Sequence, residues 1–130
     1  MRILKGMIKS GVGDAKNWSL GQIQTVTGRA DLIAGTLNVE VDELHKLRCD
    51  FTLPAVSRKD GRQEDLYFEE CLLLIGSKRV PALIARTSTN YHGQKVLEIM
   101  AAEHLRNSHG LEDGHIINVQ VRTDSDEHLA

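Results

Sequence analysis

Gly35-Thr36-Leu37-Asn38-Val39-Glu40-Val41 reads as a strand with two unlike faces. Leu37, Val39 and Val41 fall on one side and Thr36, Asn38 and Glu40 on the other, the period-2 alternation of a half-buried strand. Thr36 and Asn38, two neutral oxygen donors, therefore point the same way. Gly35 stands directly before them, where a bulky ligand needs the backbone close. The same pattern fits a plain solvated strand edge. Its surroundings make it a candidate ligand face: a glycine-rich turn upstream and a polar cluster downstream.

Upstream, residues 2–9 are short, apolar and interrupted by Gly6, which suits a first strand. The chain then turns at Ser10 through Gly11-Val12-Gly13-Asp14-Ala15-Lys16-Asn17-Trp18. Glycines at this spacing let N–H groups converge on an anion, and Lys16 adds positive charge. A hairpin turn is the other reading, because neither the Walker loop nor the dinucleotide fingerprint is present. Ser19 caps a predicted helix over 20–32, with Leu20, Ile23, Val26 or Thr27, and Ala30 at helical spacing and Gly21 and Gly28 against it.

Downstream, residues 42–47 predict a short helical turn with Leu44 and Leu47 inward, and 49–54 return to extended chain. Residues 55–65 read as a surface loop with Asp60-Gly61 as its turn. A buried strand over 66–75 ends at Gly76-Ser77-Lys78, a hairpin turn into a strand over 80–86, where Pro81 points to a sheet edge. The polar stretch Thr87 to Gly93 leads into a strand over 95–101. There Glu98 shares a face with Val96 and Met100, and a carboxylate on an apolar face signals either a half-buried register or a site. A short helix over 103–107 stops at Gly110, the turn Glu112-Asp113-Gly114 follows, and a last strand covers 116–121 with Ile117, Val119 and Val121 on one side. Residues 123–130 form a polar, acidic tail expected to be flexible.

About six short strands, two or three short helices, no βαβ alternation and no internal repeat predict a mostly β fold, a small barrel with helices in its connections. With 130 residues there is room for one domain, placed at 1–122. A hydrophobic content of 41%, a charged content of 26% and a net charge of −2 match an ordinary soluble protein with no global attraction to nucleic acid or anionic membranes. Cys49 and Cys71 share no ligand or redox spacing and fit reduced thiols, no apolar run reaches membrane-spanning length, and the amino terminus has no signal-peptide core, so a cytoplasmic location is expected. His45, His92, His104, His109, His115 and His128 form no metal-ligand spacing, and no nucleophile elbow is present. Trp18, Phe51, Tyr67, Phe68 and Tyr91 are too dispersed for a nucleic-acid face. Phosphate with a hard cation is the chemistry that remains. The Thr36 hydroxyl and Asn38 carbonyl suit Mg²⁺, and being neutral they leave the negative charge to the phosphates.

Ser10 to Lys16, the Gly-Thr-Leu-Asn element at 35–38, Tyr91-His92 leading to Leu97-Glu98-Ile99-Met100-Ala101 and Leu105-Arg106, and Leu111-Glu112-Asp113-Gly114 before a strand follow one another in an order that resembles the archaeal-type CTP-dependent riboflavin kinases. The resemblance implies a six-stranded cradle-loop (riboflavin-kinase-like) barrel that converts CTP and riboflavin to CDP and FMN with Mg²⁺. By position it implies that Gly11, Val12, Gly13, Asp14, Ala15 and Lys16, together with Glu103, His104, Leu105 and Arg106, bind the nucleotide. It implies that Thr36 and Asn38 bind the metal and that Asn90 and Glu98 face the flavin. Glu98 then becomes the expected catalytic group, orienting or deprotonating the riboflavin hydroxyl. The chain departs from the family pattern at Ala15, where a glycine is usual, at Asn90, where threonine is common, and at Ala102, where proline is common. Those departures motivate the alternative of a non-catalytic nucleotide- or flavin-binding barrel. No nucleic-acid or membrane partner is expected.

Overall fold

The structure, a computed structural model, describes residues 1–10, 18–57, 63–88 and 95–123, with backbone alone at 55–57. Its elements in chain order are β1 (Arg2–Lys9), α1 (Leu20–Thr27), β2 (Leu37–Val41), β3 (Phe51–Ser57), β4 (Gln63–Ile75), β5 (Lys78–Thr87), β6 (Val96–Ala101), α2 (Leu105–His109) and β7 (Ile116–Val121). Strands β4-β5-β6-β2-β1-β7 pair in that order and β7 pairs back onto β4, closing a six-stranded antiparallel barrel. The thirteen residues of β4 do two things. Its second half carries the closing pairs Cys71↔Val121 to Leu74↔Asn118, and its first half holds β3 as an added outer strand.

Two apolar layers explain which strands alternate and which do not. The barrel interior is filled by Leu4 and Ile8 of β1, Leu37, Val39 and Val41 of β2, Cys71 and Leu73 of β4, Ala82 and Ile84 of β5, Leu97 and Ile99 of β6, and Ile117, Val119 and Val121 of β7. A second layer lies outside the wall, where Trp18, Ile23 of α1 and Leu32 cover Leu66 and Phe68 of β4, Leu83 and Ala85 of β5, and Met100 of β6. Strand β5 over 80–85 and strand β6, apart from Glu98, are thus apolar on both faces and read as nearly unbroken apolar runs, while β4 does so only over 71–75. Strand β1 is covered on one face only and keeps strict alternation. Its Gly6 permits a close approach, since a Cβ there would lie 2.2 Å from Val39 Cγ1.

Several boundaries differ from the sequence expectation for physical reasons. Helix α1 begins as expected, with Ser19 Oγ accepting from Gln22 N, but Gly28 adopts φ 68° and ends it at Thr27. Leu32 still reaches the outer layer because Ile33 N–H donates to Ala101 O at 3.1 Å. Residues 42–50 form no helix. Leu44 is exposed instead of inward, Leu47 packs on the interior, and His45 is buried against Glu69 of β4 with Nε2 2.6 Å from Oε1. An inward carboxylate needs a partner, and meeting it fixes the course of this segment better than helical propensity does. The expected loop at 55–65 is mostly strand, with the Asp60-Gly61 turn outside the described residues. Pro81 lies beyond the reach of β6, whose pairs with β5 begin at Ala82, so the missing N–H costs no ladder bond there. The polar tail lies outside the described residues from position 124 onward. No described helix is long and apolar enough to cross a membrane.

Candidate active site at the seam of β2 and β6

Antiparallel pairing places Asn38 of β2 directly opposite Glu98 of β6. Both lie on the outer face of the wall, between inward-facing Leu37 and Val39 on one strand and Leu97 and Ile99 on the other. Asn38 is 6% exposed and Glu98 4% exposed, so both polar groups are withdrawn from solvent. Glu98 therefore belongs to the layer of Met100 and of its β5 partner Ala85, which is why it reads in sequence as a carboxylate on an apolar face.

Thr36 reaches the same point from the residue before β2. Gly35 precedes it at φ 99°, a left-handed conformation that a side chain rarely tolerates, with no atom within 4 Å of where a Cβ would stand. The glycine is needed for the turn and leaves open space in front of it. Thr36 Oγ1 donates to Glu98 Oε1 at 3.2 Å. With its proton committed to the carboxylate, the hydroxyl oxygen presents lone pairs to any cation. Asn38 Oδ1 is buried and accepts no hydrogen bond. An orphaned acceptor of this kind costs roughly 1–3 kcal/mol. Two neutral oxygens beside a carboxylate are the hard donor set that Mg²⁺ takes, with room left for phosphate oxygens and water. Among the described residues, no group of three or more His, Cys, Asp and Glu forms a metal cluster.

Thr36 also forms part of a cleft of about 250 Å³, walled by residues 33–37 on one side and 103–107 on the other, with Ile99 and Ala101 between them. A space below roughly 300 Å³ takes one part of a larger ligand. The four nucleotide-binding residues expected at 103–106 are brought to this cleft in different ways. Glu103 gives its carboxylate to His109 Nε2, which clamps the approach to α2 onto its last turn. His104 is the N-cap of α2 and makes no side-chain cap bond. Leu105 sends its side chain into the barrel interior, so only its backbone is available to a ligand. Arg106 Nη2 donates to Asp113 Oδ1 at 2.6 Å and to Lys9 O at 3.4 Å. Its Nε and Nη1 bond to none of the described residues. Ser10 donates its hydroxyl to Asp113 as well, and these contacts, Ser10 first and Arg106 second, hold the Asp113 carboxyl below the ordinary aspartate range.

Thr36, Asn38, Glu98 and residues 103–106 thus converge, from positions more than sixty residues apart. Gly11 to Lys16 and Asn90 lie outside the described residues. Two features had no advance reading. Asp113 was visible only as part of a turn, and its task depends on tertiary contacts to Ser10 and Arg106. His45 and Glu69 pair across the chain and carry no spacing signal. Both cysteines are free, Cys49 exposed and Cys71 buried. Compared with known families, residues 8–121, from β1 to the last residue of β7, match the model named CTP-dep_RFKase, for CTP-dependent riboflavin kinase, with the description of a domain of unknown function, DUF120.

Proposed function

The chain belongs to the CTP-dependent riboflavin kinase family, and from that premise we propose that it transfers the terminal phosphoryl group of CTP to the 5′-hydroxyl of riboflavin, giving FMN and CDP. The observation that carries the reading is the seam itself, where Thr36, Asn38 and Glu98 meet and Asn38 Oδ1 is left without a hydrogen bond. Phosphoryl transfer asks a protein mainly for positioning and charge stabilisation, which a small set of groups can supply.

In this reading Asn38 Oδ1 and Thr36 Oγ1 hold Mg²⁺, which when bound offsets the charge of the phosphates. Residues 103–106 and the stretch Gly11 to Lys16 bind the nucleotide, with Arg106 and Lys16 as cationic partners of phosphate oxygens. Asn90 and Glu98 face the flavin. Glu98 orients the riboflavin hydroxyl and accepts its proton as the hydroxyl oxygen bonds to the γ-phosphorus and the bond from that phosphorus to the β-phosphate oxygen breaks. Burial of Glu98 keeps bulk water from competing for the phosphoryl group. The Thr36 hydrogen bond fixes the orientation of the carboxylate.

Purified protein incubated with riboflavin, Mg²⁺ and each nucleoside triphosphate in turn tests this directly. FMN, separated chromatographically and read by fluorescence, is expected with CTP in preference to the other triphosphates. Folded protein that forms no FMN with any of them refutes the kinase. If it still binds CDP or FMN by calorimetry, it is a binding module.

A further inference from the structure

The turn at 111–114 has no part in the reaction proposed above, yet it contacts Arg106 of the proposed phosphate site and Ser10 at the end of β1. One oxygen of Asp113, Oδ2, accepts from the Ser10 hydroxyl, and the other, Oδ1, accepts from Arg106 Nη2 at 2.6 Å. The turn is itself fastened to β1. Gly114 N–H donates to Ile8 O at 2.7 Å, and Ile8 N–H donates to His115 O at 2.9 Å. Glu112 N–H donates to His115 Nδ1 at 3.1 Å, closing the turn on the other side. The carboxylate is therefore presented from a fixed base.

Ser10 is the residue from which the chain enters Gly11 to Lys16. Arg106 lines the cleft and is also tied to the carbonyl of Lys9. We infer that Asp113 is a positioning residue, whose two oxygens hold the Ser10 hydroxyl and the Arg106 guanidinium together and so keep Arg106 on the cleft, where it meets a nucleotide phosphate. This rests on the nucleotide assignment made under Proposed function.

Side-chain exposures of 40% for Arg106 and 50% for Asp113 make their ion pair a weak contributor to stability. Its effect is on arrangement. An unrestrained arginine loses rotamer freedom when it closes on a phosphate, and a guanidinium already held by Asp113 loses less. Among the described residues only Nη2 is engaged, which leaves Nε and Nη1 for a ligand.

Calorimetric titration with CDP, together with steady-state kinetics in CTP and in riboflavin, separates positioning from a merely structural role. Asp113→Ala is expected to weaken CDP binding about tenfold and to raise KM for CTP by a similar factor. KM for riboflavin and kcat should stay within about twofold, and the melting temperature within a few degrees. Asp113→Glu should recover part of the loss, since it restores the charge one methylene further out. Asp113→Ala that binds CDP as wild type does, or that shifts both KM values equally, overturns the inference. If Asp113→Ala does not fold, Ser10→Ala and Asp113→Asn, which weaken one arm at a time, carry the same comparison. Wild-type protein that binds CDP but makes no FMN defeats the kinase reading and leaves the Asp113 effect measurable. Wild-type protein that makes FMN alongside an unaffected Asp113→Ala defeats only the inference, and wild-type protein that binds no CDP defeats both.

Discussion

Replacing Asn38 by alanine should separate stability from function at the seam. Asn38 is 6% exposed and its Oδ1 has no hydrogen-bond partner. Removing a buried unpaired acceptor recovers roughly 1–3 kcal/mol. Truncating the side chain forfeits packing worth about 1 kcal/mol at the rate that cavities cost in cores. Asparagine and alanine are both poor strand formers, so propensity decides little. The balance is a protein as stable as wild type or up to about 2 kcal/mol more stable. For a chain of this length, about 1 kcal/mol moves Tm by roughly 3–6 °C, so Asn38→Ala should melt at or above the wild-type temperature. Activity should move the other way, with FMN formation lost, because the proposed cation ligand is gone. Thermal melts with and without Mg²⁺ and CDP join the two effects. At a hundredfold excess over Kd a ligand stabilises by about 2.7 kcal/mol, and most of that shift should vanish in the variant. An Asn38→Ala protein that melts several degrees lower while still making FMN would show that Oδ1 has a structural task, and would refute the cation seat.

Glu98→Gln keeps an acceptor for the Thr36 hydroxyl and loses the base, so kcat should fall about 10²–10⁴-fold, with a smaller change in KM for CTP, in initial-rate measurements of FMN. Gly6→Ala drives a Cβ to 2.2 Å from Val39 Cγ1 at the β1–β2 pair, and urea unfolding should show a loss of about 1–3 kcal/mol. Glu69→Ala leaves the buried His45 Nε2 without its hydrogen-bond partner, and the same assay should register a loss of about 1–3 kcal/mol. Asp113 has a folded pKa below its unfolded value of 3.8, so the stabilisation from Ser10 and Arg106 is present above 3.8 and fades as pH falls through the lower folded value. In Ser10→Ala/Arg106→Ala, an NMR titration of the Asp113 carboxyl carbon should move up toward the ordinary aspartate range; an unmoved titration would mean that other groups depress it.

Much of the barrel was legible because its strands carry their own periodicity. β2 and β7 alternate, and Gly76-Ser77 joins β4 to β5 as the turn residues predict. The segment at 42–50 was not legible. Leu44 and Leu47 resemble a helical face, but the inward Glu69 draws His45 instead, and that demand arises from a residue more than twenty positions away. The extent of β3 and β4 was obscured for a related reason. Polar residues at the start of β4 look like loop, while their pairing with β3 is set by register across the hairpin. At the site, Thr36 and Asn38 could be paired from alternation within one strand. Their union with Glu98 needs the β2–β6 register, which no local pattern encodes.

Glu98 shows how the two apolar layers produce the site. Over Leu66 to Phe68 of β4, Leu83 to Ala85 of β5 and Met100 of β6 the outward positions are covered by α1, Trp18 and Leu32, so the outward side chains there meet protein. Strand β2 lies next to β6, and its exposed Glu40 shows that this cover has ended two residues past Asn38. The seam is therefore the border between a covered and an open wall. A polar group one strand further in would be sealed from any ligand, and one strand further out would be fully hydrated and weakly interacting. At the border Asn38 and Glu98 are buried enough for each charge or dipole to act strongly, while Gly35 and Thr36 leave the cleft open beside them. Extending the cover should then silence the site without touching its ligands. Ala34 is exposed and lines the cleft, and Ala34→Trp, read by CDP titration, should weaken binding while Thr36, Asn38 and Glu98 stay in place.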